Sequence, residues 1–160
     1  SVAAPYLRFW LAVLGPHLGE IERGRGDRVL ARIRTSWTSW RGRTIEPVIR
    51  EALERLAPPV LTGENGVPGA VGSYWTRTNN PEIDLVVGDR TPVAKRVLAL
   101  GSIKWLENAP FDRHDLGELH AHRTQLPGAA ADTPLIAIAR SGCSVDGVEH
   151  FGPDELIADD

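Results

Sequence analysis

Two segments hold residues of the types and spacing used in phosphodiester chemistry: Pro81-Glu82-Ile83-Asp84-Leu85-Val86-Val87 and Val97-Leu98-Ala99-Leu100-Gly101-Ser102-Ile103-Lys104-Trp105. A carboxylate on one strand and a carboxylate-x-lysine on the next would hold Mg²⁺ or Mn²⁺ together with a phosphate. Mg²⁺ is a hard cation that takes oxygen ligands, commonly one or two protein carboxylates with water and phosphate completing the shell. The metal polarises the phosphoryl oxygen and activates a water, while a neighbouring lysine stabilises charge building on phosphorus. Asp84 fits the first acid and Lys104 the lysine, but the residue two before the lysine is Ser102. A neutral hydroxyl supplies no charge, and one acid alone binds Mg²⁺ weakly.

Strand alternation puts Ser102 and Lys104 on one face and Gly101 and Ile103 on the other; by the same rule Asp84 shares its face with Glu82 and Val86. Glu82 is therefore one candidate to stand in for the missing acid. The strands are predicted over Val71–Arg77, Glu82–Val87 and from Lys95 to Ser102 or a little beyond. Asn79-Asn80-Pro81 and Gly88-Asp89-Arg90-Thr91-Pro92 are turns short enough to make neighbouring strands antiparallel. Ahead of them, Ile45, Val48, Ile49, Ala52, Leu53 and Leu56 define a helix, with Thr44 as its N-cap, Pro47 in its first turn and Pro58-Pro59 as its stop. Glu46 near that start offers a further acid, or simply complements the helix dipole. A short strand is expected at Val60-Leu61. A helix follows over Asp112–Gln125, then a buried strand over Pro134–Ala139 and a helical turn at Pro153–Ile157. From Thr44 onward the order is helix, three-strand meander, helix, strand. That is an α/β (α+β) arrangement and the core of the restriction-endonuclease-like fold.

The N-terminal part reads differently. Leu7, Trp10, Leu11 and Leu14 predict a helix over Tyr6–Leu18 that ends near Gly15-Pro16. Gly24-Arg25-Gly26-Asp27 is a turn, after which Val29, Ile33, Trp37 and Trp40 mark a short second helix broken by Gly42. The expected organisation is an N-terminal helical extension or linker over residues 1–43 and one domain over 44–160. Arg23, Arg25, Arg28, Arg32, Arg34, Arg41 and Arg43 crowd this segment while the acids gather toward the C-terminus. Arg28, Arg32 and Arg34, with Trp37 and Trp40, could contact phosphates and stack bases. The plainer reading makes the tryptophans core and the arginines a solvated face.

At 160 residues, 42% of them hydrophobic, the chain can bury one respectable core. No apolar run approaches the roughly 18 residues of a membrane span, so no membrane partner is expected, and no signal peptide is visible. A single cysteine, Cys143, excludes an internal disulfide and fits the cytoplasm. The absence of methionine points to a piece of a longer polypeptide. With Lys95 the only other lysine in an arginine-rich chain, Lys104 stands out. His114, Glu118 and His122 share a helical face, but a solvent-facing helix explains them better than a metal site.

Tyr6-Leu7-Arg8-Phe9-Trp10, the Gly42 to Glu46 segment, Val71-Gly72-Ser73-Tyr74-Trp75, Glu82-Ile83-Asp84 and Gly101-Ser102-Ile103-Lys104-Trp105 together resemble the domain of unknown function at the C-terminus of archaeal-type AAA ATPases. The resemblance covers nearly the whole chain. It implies a PD-(D/E)XK nuclease-like fold downstream of an ATPase module in the same parent polypeptide; no phosphate-binding Gly-x-x-x-x-Gly-Lys-Ser/Thr loop occurs in these residues. Carried over by residue, Glu46 matches the helix acid, Asp84 the strand acid and Lys104 the lysine, while Ser102 departs from the family's usual glutamate. The expectation is a degenerate module that binds nucleic acid, DNA in the first instance. A protein-interaction or self-association domain, with a homo-oligomer as its product, is the second reading. An active Mg²⁺- or Mn²⁺-dependent DNA endonuclease is the third.

Overall fold

The computed structural model describes residue 7, residues 9–78 and residues 80–158. Tyr6 and Arg8 of the predicted first helix and Asn79 of the predicted turn lie outside the described residues, as does the side chain of Arg43. The chain divides into two compact units, one up to Thr44 and one from Ile45.

In the first unit the expected stop at Gly15-Pro16 is absent. Trp10–Leu14 is a π-helical turn closed by Gly15 N–H on the Trp10 carbonyl, Gly15–His17 is a 3₁₀ turn, and α1 follows over Leu18–Glu22. Pro16 lacks an N–H, and wider and tighter turns around it re-pair the backbone without ending the helix. Gly24, with φ of +73°, makes the reversal that only glycine adopts without strain.

The next helix corrects the sequence reading. α2 runs unbroken over Gly26–Leu56, through Gly42 and with Pro47 inside it. A helical glycine costs only about 1 kcal/mol relative to alanine, too little on its own to end a helix of this length. Thr44 is therefore interior: its hydroxyl donates to the Trp40 carbonyl at 2.9 Å instead of capping a new helix. Glu46 likewise lies mid-helix, so the helix-dipole explanation for it falls. In the first unit, Trp37 and Trp40 stack with ring centroids 5.2 Å apart, and Phe9 meets both edge-on.

In the second unit, five strands lie in the order β1-β2-β3-β4-β5: β1 Ala70–Trp75, β2 Glu82–Gly88, β3 Val97–Lys104, β4 Leu135–Ala139 and β5 Glu149–Phe151. β1, β2 and β3 form the expected antiparallel meander, and β4 runs parallel to β3 after the crossover helix α3, Arg113–Gln125. The short β5, parallel to β4, was not foreseen, and Val60-Leu61 sits in a 3₁₀ turn where a strand was expected. α4 covers Pro153–Ile157.

The core has two layers. Ile49 and Leu53 of α2 pack with Leu85, Val87, Ala99, Ile136 and Ile138 on one face of the sheet. Leu119 of α3 packs with Leu100, Phe111, Leu135 and Ala137 on the other. β4 is buried throughout, alternating Leu135, Ala137 and Ala139 toward one cluster with Ile136 and Ile138 toward the other. Gly101 belongs to this packing: a Cβ there would come within 2.6 Å of the Ile136 carbonyl on the paired strand. The glycine beside Ser102 is thus required by close approach of backbone.

Candidate functional site at the end of β2 and β3

Strict alternation along β2 fails at the residue that matters. Gly72 pairs with Val86 and Tyr74 with Ile83, so Ser73 alone faces both Asp84 and Leu85, a β-bulge. Ile83 consequently packs in the α3-side cluster, while Leu85 and Val87 pack on the α2 side. The face shared by Glu82, Asp84 and Val86 that alternation predicts is broken by this extra residue. Glu82 is exposed, Asp84 half-buried.

The backbone pairing of β2 with β3 stops at Leu85 and Gly101. Just beyond, the Asp84 side chain takes over: Oδ2 accepts the Ile103 N–H at 3.0 Å and the Ser102 hydroxyl at 3.3 Å. The residue in the place of the motif acid is thus a donor to the strand acid. Charge-assisted hydrogen bonds of this kind are the stronger ones, and they fix the carboxylate against β3.

Lys104 is engaged elsewhere. Its ammonium lies 2.5 Å from Asp115 Oδ2 and 3.9 Å from Asp112 Oδ2. Both acids sit at the start of α3 in a reciprocal cap. Asp112 Oδ1 accepts from the N–H groups of His114 and Asp115, and Asp115 Oδ2 accepts the Asp112 N–H at 2.8 Å. The N–H groups of Asp115 and His114 hold the Asp112 carboxyl below its ordinary range, with the Lys104 ammonium assisting. Lys104 therefore pins the N-terminus of α3 to β3.

Glu46 reaches this end of the sheet through Arg50. Glu46 Oε2 lies 3.7 Å from Arg50 Nη1 one turn along α2, and the same Arg50 nitrogen donates to the Asp84 carbonyl at 2.7 Å. The helix acid is thereby beside an arginine on the α2 layer, whereas Lys104 is drawn to the α3 layer. Among the described residues no group of three or more His, Cys, Asp or Glu side chains is placed to hold a metal ion. A divalent cation seeking two carboxylates meets one acid already bonded by two donors and another beside a guanidinium, a donor set that does not fit Mg²⁺ or Mn²⁺.

The sequence reading missed Arg50, Asp112 and Asp115. The signal for the last two was present: Asp112-Arg113-His114-Asp115 has capping-box spacing directly before the apolar Leu116. Arg50 was readable as the i+4 partner of Glu46, although its reach to β2 was not. The remaining candidates stand apart. Arg28, Arg32 and Arg34 are exposed on α2 in the first unit, where Arg32 pairs with Glu20. His114 lies 3.5 Å from Glu118 on an exposed face, and Cys143 is half-buried with its thiol on the Val145 carbonyl. Among the described residues, no helix is long and apolar enough to cross a membrane.

The fold and site define a mixed α/β chain whose meander ends in an acid, a hydroxyl and a lysine tied into backbone and helix caps. Residues 10–116, well over half of the chain, match the DUF234 family, described as archaea bacterial proteins of unknown function, and the chain belongs to that family. No curated protein and no solved structure matches it.

Proposed function

We propose that this chain is a restriction-endonuclease-like domain that has given up phosphodiester cleavage and binds nucleic acid, DNA first, on behalf of an ATPase module in the same parent polypeptide. The observation that carries the loss of cleavage is the Ser102 hydroxyl donating to Asp84 where a second acid would be needed, with Lys104 committed to Asp115. The order helix, antiparallel meander, crossover helix and parallel strand supports the fold assignment. Charge partition supports the binding role. Up to Thr44 the sequence holds eight arginines against three acids, and from Ile45 it holds ten basic residues against eighteen acids. Attraction for phosphate therefore resides in the helical unit, through Arg28, Arg34 and their neighbours.

The test is fluorescence anisotropy with labelled duplex and single-stranded DNA and RNA across a salt series. Binding through phosphates weakens as log salt rises, and the joint substitution Arg28→Ala with Arg34→Ala lowers the slope by about 2. A parallel incubation of supercoiled plasmid with Mn²⁺ or Mg²⁺ is expected to leave it intact. Cleavage that disappears in Asp84→Ala would make the chain an enzyme and end this reading.

A further inference from the structure

The second unit carries an open apolar groove of about 570 Å³ along the flank of α2 beside Trp105 and α4, lined by Ile45, Val48, Ala52 and Ile157 together with Glu51 and Arg55. Val48 is 50% exposed and Ile157 71%, so two large aliphatic side chains face water in one contiguous patch. Beneath them Ile49, Leu53 and Leu156 are fully packed, so the patch is the outer skin of a finished core. Exposed apolar patches of this kind mark interaction surfaces.

We propose that this groove is the interface between two copies of the chain, with the C-terminal turns of α2 crossing antiparallel about a two-fold axis. The argument is self-complementarity. Glu51 and Arg55 are four residues apart on one helical face, with opposite charge. A two-fold axis perpendicular to the helix and level with Leu53 carries each residue to the height of its mirror position, which sets Glu51 of one copy against Arg55 of the other, twice. An isologous contact demands this kind of reciprocal matching. Ala52 lies at the crossing, and its single methyl lets the helices approach while Val48 and Ile157 are covered. Arg55 is already oriented, because one guanidinium nitrogen donates to the Leu156 carbonyl at 3.1 Å. Its remaining donors are left for the partner.

The inference stands apart from nucleic-acid binding, because it uses neither the site at Asp84 nor the arginines of the first unit. Its test is sedimentation equilibrium of the full chain and of Glu51→Arg and Arg55→Glu, separately and mixed. The native chain is expected to dimerise, and each variant alone to dissociate at least about tenfold more readily, since like charges then meet twice. Mixing the two variants restores association, because one chain then presents two arginines and the other two glutamates. Circular dichroism confirms that each variant is folded, and Val48→Gln serves as an uncharged disruptor should a charge variant unfold. A native chain monomeric up to about millimolar, single variants that associate normally, or a mixture no tighter than its components would each overturn the proposal.

Discussion

Up to Thr44 the described residues bury one large aliphatic side chain, Val29, and leave Leu11, Leu18, Ile21, Leu30 and Trp37 more than a third exposed; from Ile45 onward two apolar layers close over both faces of a five-stranded sheet. One chain thus contains a unit ordered by helical hydrogen bonds and stacked aromatic rings, and another ordered by long-range burial. Helix interiors satisfy their own backbone, so the first unit needs little core to keep its secondary structure. A sheet satisfies its backbone only between strands, so the second must bring distant segments together. The polar residues selected for chemistry fall where those two kinds of order meet different demands: in the second unit they complete strand ends and helix caps.

The strongest way to break the contrast is to open the second unit's core. Leu53→Ala, at a fully buried position between α2 and the sheet, is expected to cost about 3 kcal/mol; chemical denaturation should show one early transition in the sheet signal. Asp84→Ala should cost about 2 kcal/mol, since it strips the Ile103 N–H of its acceptor. Ser102→Ala should cost less, about 0.5 kcal/mol, because it removes a donor and leaves the N–H bond in place. A larger loss for Ser102→Ala than for Asp84→Ala in the same denaturation series would reverse the roles assigned to them.

A pH series sharpens the comparison further. The Asp112 carboxyl, held below its ordinary 3.8 by the Asp115 and His114 N–H groups, stabilises the folded state fully above that value. Its contribution fades as the pH falls through the lowered folded value, where the native carboxylate takes up its proton. The difference in melting temperature between the native chain and Asp112→Ala is therefore expected to be constant near neutrality and to shrink at strongly acidic pH. The smallest effect belongs to the first unit: Trp37→Ala should change near-ultraviolet ellipticity through the lost Trp40 stack while shifting the sheet's unfolding midpoint little. A large shift there would show that the two units unfold as one.

Much of the second unit was legible in sequence because burial leaves a pattern. Leu135 to Ala139 is apolar at every position and becomes a strand buried on both faces, and Asp112 with the periodicity after it marks α3 within a residue. The meander followed from turn residues between alternating segments. What escaped was decided by local backbone chemistry. Gly42 looked like a break because a cost of about 1 kcal/mol was read as a stop, although α2 runs through it. β5 has three residues, too few for alternation to register. The candidate site was legible in its residue types and illegible in its geometry, because the bulge at Asp84 changes which face each neighbour takes without altering composition. Lys104 stood out by rarity, yet its partners Asp112 and Asp115 lay in a helix cap that alternation does not address.

The bulge at Asp84 also sets a rule of length. Because a side chain here finishes a ladder that the main chain has left, position 84 works as a ruler with one methylene between backbone and acceptor. Asparagine keeps that reach and can present an oxygen to the Ile103 N–H, so it is the isosteric replacement the strand end should accept. Glutamate keeps the charge but adds a carbon, pushing its oxygens past the N–H they must meet. At this position the sheet reads distance before it reads charge.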